Sequence, residues 1–143
     1  MVVHQIASVQ TTSLTGALRL GATFLSRFPA SATMKRIYIP NPTIEEEACT
    51  IRDAGLEIRL YRFFDPRTGV VDWEGMREDL QNAPAQSIVL MYVGGSTPTG
   101  AELTVGQWRL ATEVLKVSHG AGPPTAVAQL SRLCLHSPKG ISL

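Results

Sequence analysis

The sequence predicts an α/β fold in which a mostly parallel sheet carries helices on its faces. Short β-branched runs alternate along the chain with segments of helical apolar spacing, and the connections between them are short. Such alternation is typical of parallel strands joined by right-handed crossover helices. The run SIVLMYV, from Ser87 to Val93, is almost wholly apolar, as expected for a strand that is covered on both faces.

The composition is that of one globular domain. The chain has 143 residues, of which 44% are hydrophobic and 17% charged, and its net charge is +1. Lysine and arginine are scattered, which argues against a nucleic-acid partner, and no apolar run is long enough to predict a membrane span. Cys49 and Cys134 fit no metal-ligand spacing, so we expect reduced thiols of an intracellular protein.

The first half of the chain supplies clear boundary signals. RIYIP, from Arg36 to Pro40, is a short apolar run that suits a strand. In the helical segment that follows, Thr43 and Glu46 resemble a capping box, and Gly55 stands where a helix would end. The acids of the EEE run at this helix start are interpreted as complementing the helix dipole, rather than as a metal or acid–base cluster.

The second half continues the alternation. LEIRLYRFF alternates as a strand, and DPRTG has the chemistry of a turn. Asp72 is the expected N-cap of the next helix, DWEGMREDLQNAP, and Thr104 caps the last one, LTVGQWRLATEVLK. From about Val117 the pattern breaks into Gly and Pro clusters and an ambiguous TAVAQLSRLCL segment, where we predict no further strand. We therefore expect a missing remainder, a partner chain or an altered end of the gene.

The loops predicted at the carboxyl ends of the strands are TTSLTG, NPTI and GGSTPTG, and they are rich in hydroxyls, Gly and Pro. The hydroxyls of SVQTTSLTGALRLG stand where a strand gives way to a helix. They suit either a phosphate cradle on the free helix amides or an ordinary N-cap. The histidines have no ligand-like spacing, and neither a P-loop nor a hydrolase motif occurs in the sequence.

Three long segments resemble aspartate aminotransferase, the fold type I enzyme that uses pyridoxal 5'-phosphate (PLP). They are SVQTTSLTGALRLGATFLSRF, IYIPNPTIEEEACTIRDAGLEIRLYRFFDPRTGVVDWEGMREDLQNAP and SIVLMYVGGSTPTGAELTVGQW. The resemblance implies a truncated and divergent fragment of the three-layer α/β/α large domain. Residues 1–116 would be the partial PLP-binding domain, and 117–143 a divergent tail without family resemblance.

The resemblance implies that the start of the first helix faces the cofactor phosphate. Ser13 and Thr15 match the hydroxyl residues of the family's Ser-Gly-Thr triplet, and Leu14 stands in place of its Gly. A side chain at this position penalises a backbone conformation with φ above zero by roughly 1 kcal/mol or more. The cradle implied by the family is therefore altered in this chain.

Three further positions are implied to surround the cofactor ring. Ile44 replaces a Trp that stacks on the ring, and Thr97 replaces an Asn that donates a hydrogen bond to its phenolic oxygen. Glu47 falls where the family has a His behind the ring. Ile44 offers no aromatic stacking, and Thr97 has a shorter donor.

No catalytic residue is assigned in this chain, because the family's Schiff-base lysine and its substrate-binding arginines lie further along. Lys35 and Lys116 stand at element ends, and Lys139 only faintly echoes the family's Ser-Lys segment. The family transfers an amino group between L-aspartate and 2-oxoglutarate as a cytoplasmic or mitochondrial homodimer. The alternatives are a non-catalytic remnant or interaction module that pairs with an intact paralogue, and a generic α/β ligand-binding domain.

Overall fold

The computed structural model describes residues 10–28, 35–84 and 87–117, together with a strand at 127–131. The elements are α1 Leu14–Arg27, β1 Arg36–Asn41, α2 Glu45–Asp53, β2 Glu57–Arg62, β3 Phe64–Asp65, β4 Val70–Val71, α3 Trp73–Gln81, β5 Ile88–Val93, α4 Val105–Val117 and β6 Val127–Ser131. Apart from the small β3–β4 pair, helices and strands alternate as predicted. The strand expected before α1 lies outside the described residues.

The sheet is parallel, as the sequence predicts. Its strand order is β2-β1-β5-β6, and every pairing within it is parallel. Tyr38 of β1 lies opposite Arg59 of β2 on one side and opposite Val89 of β5 on the other. Strands β3 and β4 form a separate antiparallel pair around the predicted DPRTG turn. Strands β1 and β5 are thus the inner strands of the described sheet.

The expectation that the tail adds no strand is wrong. Val127–Ser131 forms β6, which pairs in parallel with β5 over its whole length. The segment that contains β6 lacks the enrichment in β-branched residues of β1 and β5, so its local propensity did not predict a strand. Pairing with the exposed edge of β5 supplies the backbone hydrogen bonds that local sequence does not specify.

Alternation along β5 divides the interior into two cores. Ile88 and Leu90 face a core built with α1 and α2, whereas Val89 and Met91 face a core built with α3 and α4. All four side chains are buried. Because successive strand residues point to opposite faces, this division makes three layers, with helices on both sides of the sheet. The predicted burial of SIVLMYV on both faces is confirmed.

The caps predicted at Asp72 and Thr104 are confirmed, and Ser13 caps α1. The side chains of Ser13, Asp72 and Thr104 each accept a hydrogen bond from a backbone N–H in the first turn of α1, α3 and α4, respectively. The capping box predicted for α2 is wrong, because Ile44 is the N-cap residue and has no side-chain cap. The hydroxyl of Thr43 donates instead to the carboxylate of Glu47, at 3.2 Å.

An Arg–Asp pair ties the end of β2 to α3. The backbone N–H of Arg62 donates to Asp79 Oδ2 at 2.7 Å, and its guanidinium donates to Asp79 Oδ1 at 2.6 Å. A further bond of 2.7 Å joins the same guanidinium to Glu78. These bonds from Arg62 hold the pKa of Asp79 below its ordinary value of 3.8.

The two-sided burial of β5 predicts a large difference between two leucine truncations. Leu90→Ala should lower the free energy of unfolding by about 2–5 kcal/mol, because it leaves a cavity in a closely packed core. Leu90 is 1% exposed, whereas Leu60 on β2 is 53% exposed, so Leu60→Ala serves as the matched control. Urea denaturation followed by circular dichroism measures both changes. Equal losses in the two variants would contradict the described packing.

Asp79→Asn should lower the free energy of unfolding at neutral pH by about 1 kcal/mol, because it removes a charged acceptor from Arg62. The pKa of Asp79 is lower in the folded state than in the unfolded chain. The contribution is therefore complete well above pH 3.8 and is lost as the pH falls through the folded-state value. Urea denaturation measures the free energy of unfolding between neutral and acidic pH. With decreasing pH it should fall less steeply in the variant than in the wild-type chain. Glu113→Gln, which changes an exposed acid on α4, should keep the pH dependence of the wild-type chain.

Candidate functional site

Two hydrogen bonds join the starts of α1 and α2 and the end of β5 at the carboxyl edge of the sheet. Thr15 Oγ1, in the first turn of α1, donates to Glu46 Oε1 in the first turn of α2 at 3.0 Å. Tyr92 Oη, near the end of β5, donates to Glu47 Oε2 at 2.7 Å. The start of α2, which follows β1, is thus bonded both to the start of α1 and to the end of β5. These are the places where the sequence predicts ligand loops.

The start of α1 is a well-capped helix N-terminus. Ser13 is extended, and its Oγ accepts a hydrogen bond from the backbone N–H of Gly16 at 3.0 Å. Thr11 Oγ1 donates to the carbonyl oxygen of Ser13 at 2.9 Å. Leu14 is half-buried and packs against the core beneath α1 and α2. The N-cap interpretation of these hydroxyls is therefore confirmed for Ser13.

The acids at the start of α2 have three different environments. Glu45 is exposed and accepts a bond of 2.8 Å from Arg52, which holds the pKa of Glu45 below its ordinary value. Glu46 is exposed and accepts the Thr15 hydroxyl. Glu47 is only 2% exposed. All three lie in the first helical turn, as the dipole interpretation expects, but the sequence did not indicate that Glu47 is buried.

The Glu47 carboxylate forms the polar centre of the site. Its Oε2 accepts hydrogen bonds from Tyr92 at 2.7 Å and from Thr43 at 3.2 Å. Its Oε1 is buried and has no hydrogen-bond partner among the described residues. Burial first, and then the bond to Glu47, raise the pKa of the Tyr92 hydroxyl above its ordinary value. Tyr92 is thus a neutral donor to a buried acid.

The loop after β5 folds back on itself around a pocket of about 410 Å³. The lining residues are Gly94, Gly95, Ser96, Thr97, Pro98, Gly100 and Glu102. The Gly100 N–H donates to the Ser96 carbonyl oxygen at 2.6 Å, in the turn predicted from PTG. Gly100 has a φ of 70°, which favours glycine. Ser96 is 2% exposed, and its Oγ has no partner in the described part of the chain.

The predicted site residues fall into two groups. Ser13, Leu14 and Thr15 stand at the start of α1, where Thr15 is bonded to Glu46, two residues after Ile44, whereas Thr97 lies in the pocket after β5. Within the described ranges, no hydrogen bond joins Thr97 to the first group. Lys139 lies outside the described residues.

Sequence reasoning missed the contacts that Glu46 and Tyr92 make in the site. The sequence does contain a signal for the Tyr92 contact. Its hydroxyl stands in an otherwise apolar strand and needs a hydrogen-bond partner when buried. Across the described ranges, no group of three or more His, Cys, Asp or Glu side chains is placed to hold a metal ion. No helix in that part of the chain is long and apolar enough to cross a membrane.

Residues 2–120 match the family described as aminotransferase class I and II. The chain is 39% identical over 113 residues to the cytoplasmic aspartate aminotransferase of Oryza sativa subsp. japonica, covering 79% of this chain and 27% of that protein. It is 38% identical over 109 residues to the mitochondrial aspartate aminotransferase of Xenopus tropicalis, covering 76% and 25%. The chain thus spans about a quarter of the length of these relatives.

Solved structures agree with the family match. A mitochondrial aspartate aminotransferase from Trypanosoma brucei gives a TM-score of 0.68 at 36% identity, covering 73% of this chain and 27% of that one. An aromatic-amino-acid aminotransferase from Burkholderia pseudomallei, covalently bound to pyridoxal phosphate, gives 0.68 at 28% identity, covering 82% and 27%. The fold therefore matches part of the large domain of fold type I aminotransferases.

The chain belongs to the aminotransferase class I and II family. Within that family, the curated relatives named above are aspartate aminotransferases, which confirms the resemblance read from the sequence. The family depends on PLP, whose phosphate group carries a charge of about −2.

The residues at the start of α1 do not fit a phosphate group. Ser13 Oγ is bonded to its own helix, and Thr15 Oγ1 is bonded to the carboxylate of Glu46. Leu14 carries a side chain at the position where the resemblance implies a Gly in the family. No Lys or Arg of the described ranges forms an ion pair with Glu46. A phosphate would therefore meet an uncompensated negative charge.

Tyr92→Phe should lower the free energy of unfolding by about 2 kcal/mol, because it removes a donor from a buried carboxylate. Tyr38→Phe is the control, since Tyr38 is half-buried and no hydrogen bond from its hydroxyl to a described residue is present. Urea denaturation measures both variants. If the effects of Tyr92→Phe and Glu47→Gln were fully additive in the double variant, the coupling between the two groups would be refuted.

Proposed function

We propose that this chain is part of the cofactor-binding domain of an aspartate aminotransferase and that this length of chain does not itself catalyse amino transfer. The activity of the whole protein would be PLP-dependent transfer between L-aspartate and 2-oxoglutarate, in which PLP carries the amino group. The observation that carries the proposal is that the starts of α1 and α2 and the end of β5 lie together at one sheet edge, where Glu46 is bonded to Thr15 and Glu47 to Tyr92. Similarity to aspartate aminotransferases supports it.

The positions that would face the cofactor are Ser13, Leu14, Thr15, Ile44 and Thr97. Three of them carry side chains that differ from those of the family: Leu14, Ile44 and Thr97. The proposed cofactor domain spans 1–116, with a divergent tail from 117 to 143. The similarity to one cytoplasmic and one mitochondrial relative supports either location for the whole protein.

A non-catalytic interaction module is the second candidate function. It is favoured by the contrast between the intact cores on both faces of the sheet and the altered cofactor positions. In this role the chain would pair with a second copy or with an intact paralogue. A protein that keeps the fold but not the catalytic activity must retain its buried core residues, whereas its ligand-contacting residues are free to change.

Mixing the purified chain with PLP and then reducing it with borohydride tests the catalytic part of the proposal. We expect no visible band that borohydride removes and no single lysine labelled in full, as read by absorbance and by mass spectrometry of peptides. Circular dichroism must first show that the chain is folded. A chain denatured in urea gives the background labelling of accessible lysines.

Full labelling of one lysine would overturn the claim that this chain lacks the family's lysine chemistry, and Lys139→Arg would then identify or exclude that residue. The second candidate is distinguished by mixing the chain with an intact aspartate aminotransferase and measuring the mass of the complex. A stable complex together with absent labelling favours the interaction module. Absence of a complex favours the fragment of a larger enzyme.

A further inference from the structure

We propose that Glu46 closes the anion site at the start of α1, so that this chain discriminates against the phosphate group that the family binds there. The inference rests on the proposed function for the identity of the anion. It goes beyond that function by assigning a specificity-determining role to a residue of α2. Glu46 would act as an internal carboxylate that takes the place of the phosphate on Thr15.

The geometry places the carboxylate within reach of any anion on Thr15. The distance from Thr15 Oγ1 to Glu46 Oε1 is 3.0 Å. A phosphate oxygen bonded to the same hydroxyl would lie about 3 Å from it, and hence within about 6 Å of Glu46 Oε1. Like charges at such a distance disfavour each other. Binding a phosphate here would require displacing the Glu46 carboxylate from Thr15.

The start of α2 is held in place next to Glu46. Glu47 is buried and accepts a hydrogen bond from Tyr92 of β5. Helices α1 and α2 also share one core, in which Leu18 and Ile51 are buried. The backbone of Glu46 is therefore fixed beside Thr15 by packing, and its carboxylate is close by even when the exposed side chain moves.

The remaining hydroxyl offers a phosphate little compensation. Ser13 Oγ accepts the Gly16 N–H, which removes one free amide from the helix start. Leu14 adds a side chain that the family's Gly lacks. The positive end of the α1 dipole is thus already complemented by a side-chain oxygen, and it faces the Glu46 carboxylate across the Thr15 hydroxyl.

Two ligands that differ only in the phosphate test the inference. Pyridoxamine 5'-phosphate and pyridoxamine share the ring and the amine. The dissociation constant of pyridoxamine divided by that of pyridoxamine 5'-phosphate therefore isolates the phosphate contribution, and a larger ratio means a stronger preference for the phosphorylated ligand. We expect a ratio near one for the wild-type chain and a ratio about tenfold larger for Glu46→Gln, measured by fluorescence titration. Glu45→Gln makes the same change in net charge without touching Thr15, and should leave the ratio near one.

Amide chemical shifts give a second readout with inorganic phosphate as the probe. In Glu46→Gln, phosphate should shift the N–H signals of Thr15 and Gly16, and adding Thr15→Val should abolish the gain in the ligand ratio. A wild-type chain that already prefers the phosphorylated ligand tenfold would overturn the inference. So would a Glu46→Gln chain with no gain, including one that binds neither ligand.

The two proposals fail in different ways. If pyridoxamine binds but Glu46→Gln adds no preference for the phosphorylated ligand, only the role of Glu46 fails. If no folded variant binds either ligand, the cofactor-domain proposal fails with it. Circular dichroism of each variant separates this result from loss of the fold, which is not expected because Glu46 is exposed.

Discussion

The burial of strand β5 on both faces is the constraint on which the rest of this structure depends. Its alternating side chains hold one pair of helices on each side of the sheet. Because β5 is an inner strand of the described sheet, both its neighbours and its following loop take their positions from it. The packing of apolar residues therefore determines the scaffold of the site, without any contribution from ligand chemistry.

Polar groups at the edge of this scaffold are bonded to one another. A carboxylate that leaves water loses favourable hydration, and hydrogen bonds must compensate for it. Glu47 is compensated on one oxygen by Tyr92 and Thr43, so the buried acid links α2 to β5. This link fixes the orientation of the first turn of α2, and it thereby determines where the exposed acids beside it point.

Three identical residues in sequence consequently have three different roles. Successive helical residues are about 100° apart around the axis, so Glu45, Glu46 and Glu47 face different surroundings. The first pairs with Arg52 on the same helix, the second contacts Thr15 of α1, and the third enters the interior. On the proposed function, the charge of Glu46 changes what the cofactor site of this chain accepts.

The sequence by itself determined the alternation of elements, the caps at Asp72 and Thr104, and the buried character of β5, because these signals act within a few residues. For the hydroxyls before α1 it left a cap and a phosphate cradle as alternatives. It did not determine the start of α2 or the presence of β6. It also did not determine the contact of Thr15 with Glu46, whose partners are 31 residues apart. Only the tertiary structure decided these, because they depend on which edges and helix starts the packed sheet brings together.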